Sequence, residues 1–207
     1  GKEYEAEVTV AKCLEDSKRW FDVIAISKEG EGGRNRMDEG KKRWKAPEAE
    51  SLKCNIGISW MQRNHLAGMG WIVRNRNGET VLHSRRAFNG VSSLLEAKRL
   101  GLIWAVESMV SHGMQNVIFE IEASELVGAI TRPRAWPAFR AYGLELRDVL
   151  SNITDWKVNL VPREANRSAF LIARSVTKEM RFQSYVAQGS PRWLQGLLAE
   201  EGTRNRV

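Results

Sequence analysis

Cysteine is scarce, with Cys13 and Cys54 the two in 207 residues. That excludes a secreted scaffold stapled by disulfides and leads us to expect a reducing, intracellular setting, with nucleus and cytoplasm left open. The three histidines, His65, His83 and His112, are scattered. None has a second ligand at metal-site spacing, so a zinc centre is not expected, and each reads as a loop or strand-surface residue. Aspartate is scarce too: five in the chain, of which only Asp148 and Asp155 fall between residues 47 and 190. No apolar run approaches the ~18 residues of a membrane span, so no membrane partner is expected. The chain begins Gly1-Lys2-Glu3-Tyr4, with neither an initiator Met nor a signal-peptide core, which leads us to expect either a piece of a longer protein or a trimmed chain.

Basic charge, by contrast, is plentiful. The formal net charge is +7, and residues 47–190 carry most of the excess, 18 basic against 13 acidic side chains. A block of that sign is compatible with a polyanionic partner such as nucleic acid. With 43% hydrophobic and 28% charged residues the balance is that of an ordinary globular protein. A chain of this length buries roughly 70% of its unfolded surface and needs no covalent staples.

Residues 5–26 read as a short helix carrying Leu14, Trp20, Phe21 and Ile24. The glycine-rich, charged run from Gly30 to Lys45 then reads as a linker. Its basic cluster (Lys41, Lys42, Arg43, Lys45) serves either solubility or contact with a nucleic-acid backbone. From Leu52 the pattern changes. Cys54, Ile56, Ile58 and Trp60 alternate with polar or small residues at the period of a strand. A second strand over 67–74 and a third over 80–88 flank Asn77-Gly78, a hairpin signal whose two turn positions favour positive φ. Ser92 or Ser93 caps a helix running to about Ser111. Strand 117–121, helix 124–130, helix 138–150, strand 156–161 and helix 165–182 follow. Three strands in a row make an antiparallel meander. The fourth and fifth, each reached through helices, should join it in parallel.

Specific words occupy this order: Trp44-Lys45-Ala46-Pro47, Lys53-Cys54-Asn55, Gly70-Trp71-Ile72-Val73-Arg74, Leu95-Glu96-Ala97, Phe119-Glu120 with Glu125-Leu126-Val127, and Val161-Pro162-Arg163-Glu164-Ala165-Asn166. The tail words Gln183-Ser184-Tyr185-Val186-Ala187 and Pro191-Arg192-Trp193-Leu194 continue the series. Together they resemble the plant ribonuclease-H-like domain related to the C-terminal part of non-LTR retrotransposon reverse transcriptase polyproteins. The resemblance implies an α/β, ribonuclease-H-like fold: a five-stranded mixed sheet, three strands antiparallel and two parallel, flanked by helices. The domains expected are an N-terminal helix and charged linker over 1–46, the ribonuclease-H-like domain over 47–190, and a tail over 191–207.

The family implied by this resemblance cleaves the RNA strand of RNA–DNA hybrids with two Mg²⁺ or Mn²⁺ ions, about 4 Å apart, held by clustered carboxylates. The four positions that match its acids are Gly57, Lys98, Glu122 and Phe170. One carboxylate of four remains, lengthened by a methylene, and Glu122 is left as a weak metal ligand. Glu96 lies about 200° around the helix from Lys98 and should face away. A lysine in the cleft disfavours a cation further. The expectation is therefore a catalytically inactive domain without a cofactor, its possible partner an RNA–DNA hybrid or another nucleic acid. Lys98 either pairs with Glu122 or a phosphate, or reaches solvent. The run Arg132-Pro133-Arg134-Ala135-Trp136 could bind phosphates and stack bases, or pack Trp136 and Phe139 onto the sheet. Arg163 and Asn166 match the motif before the last helix, where Asn166 either caps that helix or packs near the site. Trp71, Trp104 and Trp156 read as core, and Cys54 as a buried, inert thiol. The alternative function is a non-catalytic protein-interaction scaffold, or a retrotransposon-derived remnant.

Overall fold

The computed structural model describes residues 43–48 and 50–203. The helix expected over 5–26, the run from Gly30 through Lys42, and Cys13 lie outside the described residues. Strands β1 (Leu52–Met61), β2 (Leu66–Arg74) and β3 (Thr80–Phe88) form the antiparallel meander. Strand β4 (Val117–Ile121) pairs parallel to β1, and β5 (Trp156–Leu160) parallel to β4. Among the described residues the sheet has six strands rather than five, in the order β5-β4-β1-β2-β3-β6. The addition is β6 (Tyr185–Gln188), antiparallel to β3. It covers what would otherwise be an open edge of unpaired backbone groups.

Period-two alternation sends Cys54, Ile56, Trp71, Val73, Phe119 and Ile121 to one face of the sheet. There they meet helices α1 (Leu94–Ser111), α2 (Ser124–Thr131) and α3 (Arg140–Leu150). Trp71 is fully buried, and Trp104 and Trp156 pack against the same core. At the start of α1 the Ser93 hydroxyl accepts from the Glu96 N–H at 3.1 Å, and the Glu96 carboxylate accepts from the Ser92 N–H at 2.8 Å. The Ser92 hydroxyl, which also donates to that carboxylate, and the Ser92 N–H together hold the Glu96 carboxyl below its ordinary range. Gly113, at φ +66°, follows the end of α1.

The opposite face carries helix α4 (Arg167–Lys178) and, packed against it through Leu194 and Leu198, the short helix α5 (Gln195–Thr203). The chain over 191–203, expected within a tail, is thus part of the fold, as is the buried Trp44 upstream of residue 47. Helix α4 stops earlier than the expected Phe182. Met180 adopts a left-handed φ of +55°, and the Arg181 N–H returns to the Ser175 carbonyl at 3.2 Å.

The hairpin at Asn77-Gly78 is also built differently. Only Gly78 has positive φ (+78°). The Asn75 side-chain oxygen accepts from the N–H groups of Asn77 and Glu79, both at 3.0 Å, and so organises a longer loop than a two-residue turn. His83 is buried rather than on the strand surface, its Nδ1 2.7 Å from the Gly189 carbonyl oxygen.

Candidate functional site

The four positions expected to match the family's acids converge. Gly57 on β1, Lys98 on α1, Glu122 just past β4 and Phe170 on α4 line one cleft of about 100 Å³, together with Arg163 and Asn166. Strands β1 and β4 run parallel with Ile56 opposite Ile121, which brings Gly57, in the middle of β1, beside Glu122, just past the end of β4.

Gly57 leaves more than a missing ligand. A β-carbon there would overlap the Ala169 carbonyl oxygen and the Phe170 backbone nitrogen. Its partner across the β1–β2 ladder is also glycine, Gly70, where a β-carbon would lie 2.6 Å from Ile172 Cγ2. Helix α4 therefore rests with its backbone directly on the sheet, over glycines and through its own Ala169 and Ala173. Glycine inside a strand marks such an approach, a signal present in the sequence at 57, 68 and 70.

Glu122 does not pair with Lys98, as one expectation had it. Its carboxylate is gripped from two sides by Arg163: Nε donates to Oε2 at 2.9 Å, and Nη2 donates to Oε1 at 3.1 Å. The same guanidinium lies over the Phe170 ring, 3.9 Å from its centroid. Lys98 is half-buried and has no ion pair among the described residues. Asn166 stands at the N-cap of α4, but its side chain makes no capping hydrogen bond. Its Nδ2 donates to the Ile56 carbonyl at 2.6 Å, tying the helix start to β1, and its buried Oδ1 has no hydrogen-bond partner among the described residues. A lysine, a phenylalanine, a glycine without room for a side chain and a carboxylate held by arginine do not fit a pair of divalent cations. Among the described residues no group of three or more His, Cys, Asp or Glu is placed to hold a metal ion.

Arg132 and Arg134 are exposed where α2 ends, some distance along the chain from this cleft. Trp136 is half-buried. Its indole packs on Gly128, and its ring centroid lies 5.9 Å from that of Phe139, so it packs on helix α2 rather than on the sheet.

A buried polar network behind the cleft has no counterpart in the sequence-based reading, although several of its residues stand in the words that carry the resemblance. Trp44 Nε1 and Arg74 Nη2 both donate to Asn55 Oδ1, at 2.9 and 3.0 Å, and Asn55 Nδ2 donates to Glu120 Oε2 at 2.9 Å. Glu120 Oε1 pairs with Lys53 Nζ at 2.7 Å, which also donates to the Lys45 carbonyl. Arg74 lies over the Trp44 ring and pairs with Glu201 of α5. So Glu120, two residues from Glu122 on the same face, is fully engaged and offers nothing to a ligand. Burial also pushes the Cys54 thiol far up, and the Glu120 charge adds to that, which leaves it inert.

The family profile described as reverse transcriptase-like matches residues 55–176. Among solved structures, ribonuclease H1 from the halophilic archaeon Halobacterium salinarum NRC-1 superposes with a TM-score of 0.55 at 20% identity, over 62% of this chain and 98% of its own. The N-terminal ribonuclease H domain of Rv2228c from Mycobacterium tuberculosis, solved as a fusion with maltose binding protein, gives 0.52 at 16% identity, over 62% and 94%. LC11-RNase H1, isolated from compost and solved in complex with an RNA/DNA hybrid, gives 0.51 at 15% identity, over 63% and 99%. No curated protein matches the chain. At these identities the likeness establishes a ribonuclease-H-like fold.

Proposed function

From a chain that belongs to the reverse transcriptase-like family, we propose a nucleic-acid-binding domain of ribonuclease-H-like fold that holds an RNA–DNA hybrid without cleaving it. The observation that carries the reading is the state of the cleft. The Ala169–Phe170 backbone occupies the space a first-strand carboxylate would need, and Arg163 neutralises the one carboxylate left. The ammonium of Lys98 is then the uncompensated charge facing the cleft. A cleft that in a nuclease attracts cations here favours the phosphodiester itself, so binding needs no metal. The finer kinship with plant domains of non-LTR retrotransposon origin rests on the sequence words alone and belongs to the same proposal. So does an intracellular setting.

The test is a gel experiment with an RNA–DNA hybrid labelled on its RNA strand, at low and high salt, with Mg²⁺ or Mn²⁺ present. The expected result is a shift that weakens steeply with salt while the RNA stays intact. Shortened RNA would overturn the inactivity. Neither shift nor cleavage would move the reading to a protein-interaction domain.

A further inference from the structure

A second concave surface lies away from the cleft, between helix α3 and the two short 3₁₀ turns that precede it (Pro133–Ala135 and Pro137–Phe139). It is a groove of about 420 Å³, within the range of small-molecule sites. Arg140, Gly143, Leu144 and Arg147 reach it from one stripe of α3, at the i, i+3, i+4, i+7 spacing of a helix face. Gly143 lets α3 come close to α2, since a β-carbon there would lie 2.6 Å from the Ala129 carbonyl oxygen. Pro133 and Pro137 each open a 3₁₀ turn and fix φ, so the facing wall is rigid and apolar.

Arg134, Arg140 and Arg147 all line this groove, and no Asp or Glu does. Helix α3 has two acids, Glu145, which pairs with Arg99 of α1 at 2.6 Å, and the exposed Asp148, and neither lines the groove. Arg147 is held in place, its Nε donating to the Ile130 carbonyl at 2.8 Å. Beside the arginines Leu144 stands 61% exposed, an apolar side chain left in water next to three cations. The combination calls for a ligand with an anionic group joined to a flat apolar body.

We propose that this groove holds a nucleotide unit, its phosphate on Arg134, Arg140 and Arg147 and its sugar and base against Pro133, Pro137 and Leu144. In a duplex the base faces are stacked inside, so the unit is an unpaired one, from a single strand or as a free nucleotide. The inference rests on the nucleic-acid reading above but concerns a different surface, and the two fail separately.

The experiment uses the whole chain and measures binding of labelled oligo(dT), of 5′-AMP and of inorganic phosphate, against the hybrid as reference. Two variants alter only exposed side chains: R134Q/R140Q, which removes charge, and L144E, which puts a carboxylate among the arginines. Both are expected to weaken oligo(dT) about tenfold or more at moderate salt while hybrid affinity changes little. In the R134Q/R140Q variant the salt dependence should flatten by roughly 0.7 in slope for each phosphate that is no longer neutralised. Binding of 5′-AMP close to that of the oligonucleotide identifies a free nucleotide as the ligand, and binding of the oligonucleotide alone identifies a strand. The proposal is overturned if both variants bind oligo(dT) as the parent does. It is also overturned if the parent binds the hybrid but neither oligo(dT) nor 5′-AMP, a result that leaves the hybrid reading standing.

Discussion

Two charges buried together constrain this protein more than any on its surface. Lys53 and Glu120 pair at 2.7 Å, each side chain 8% exposed, with Asn55 and the Lys45 carbonyl completing their hydrogen bonds. Removing one partner strands the other, at a cost of about 3–5 kcal/mol, whereas replacing both by apolar residues is often neutral. Urea unfolding should therefore find E120Q destabilised by about 3 kcal/mol and K53M/E120L closer to the parent. An E120Q variant within about 1 kcal/mol of the parent would contradict that. The Arg163–Glu122 pair is half exposed and belongs at the other end of the scale, at about 0–1 kcal/mol.

Gly57 is the second residue-scale test. Its obstacle is helix backbone, which cannot rotate aside as a side chain can. G57A should cost about 1–3 kcal/mol by overpacking, and more if α4 cannot shift. For the same reason, placing acids at the three positions that lack them and shortening the fourth (G57D, K98E, F170D, E122D) should leave RNA in a hybrid uncut. Cleavage by that variant would show that α4 yields and that chemistry alone was missing.

Among the elements, the joint of β6 to β3 should respond to pH. His83 of β3 sits with Nδ1 on the Gly189 carbonyl oxygen and its ring edge-on to Tyr185, 5.3 Å between centroids. Burial holds the imidazole below its ordinary range. The Gly189 bond opposes that and the Arg85 charge adds to it. A group whose folded value is depressed binds more protons when unfolded. Its contribution is therefore complete above the unfolded value of about 6.5 and is lost as pH falls through the folded one. The urea midpoint should drop between pH 7 and pH 5, and H83Q should flatten that drop. An H83Q profile parallel to the parent's would place the pH dependence elsewhere.

For the whole molecule the governing quantity is charge. The basic excess of residues 47–190 is not cancelled at the cleft, because its one carboxylate is already paired. Hybrid affinity should fall linearly in log K with log salt and be unchanged by EDTA. A shift that requires Mg²⁺ would mean that Glu122 leaves Arg163 to hold a metal.

The element order, the parallel addition of β4 and β5 and the apolar face of β1 were legible in residues alone. Periodicity and turn chemistry act locally, and a one-residue slip would put Cys54, Ile56, Trp71 and Phe119 on the wrong face. That 57, 98 and 170 carry no carboxylate is plain in the sequence, because a residue type at a place in a motif needs no fold to be read. β6 was missed because four residues carry almost no periodic signal, and its strand exists only where β3 offers an edge. The partner of Glu122 depends on which of two cations reaches it in space, and Arg163 is 41 residues away in sequence. The close seat of α4 on Gly57 and Gly70, and the union of Trp44, Lys53, Asn55, Arg74 and Glu120, were likewise decided by tertiary structure. A hydrogen bond or a van der Waals contact depends on distances of tenths of an ångström, which only the packed chain sets.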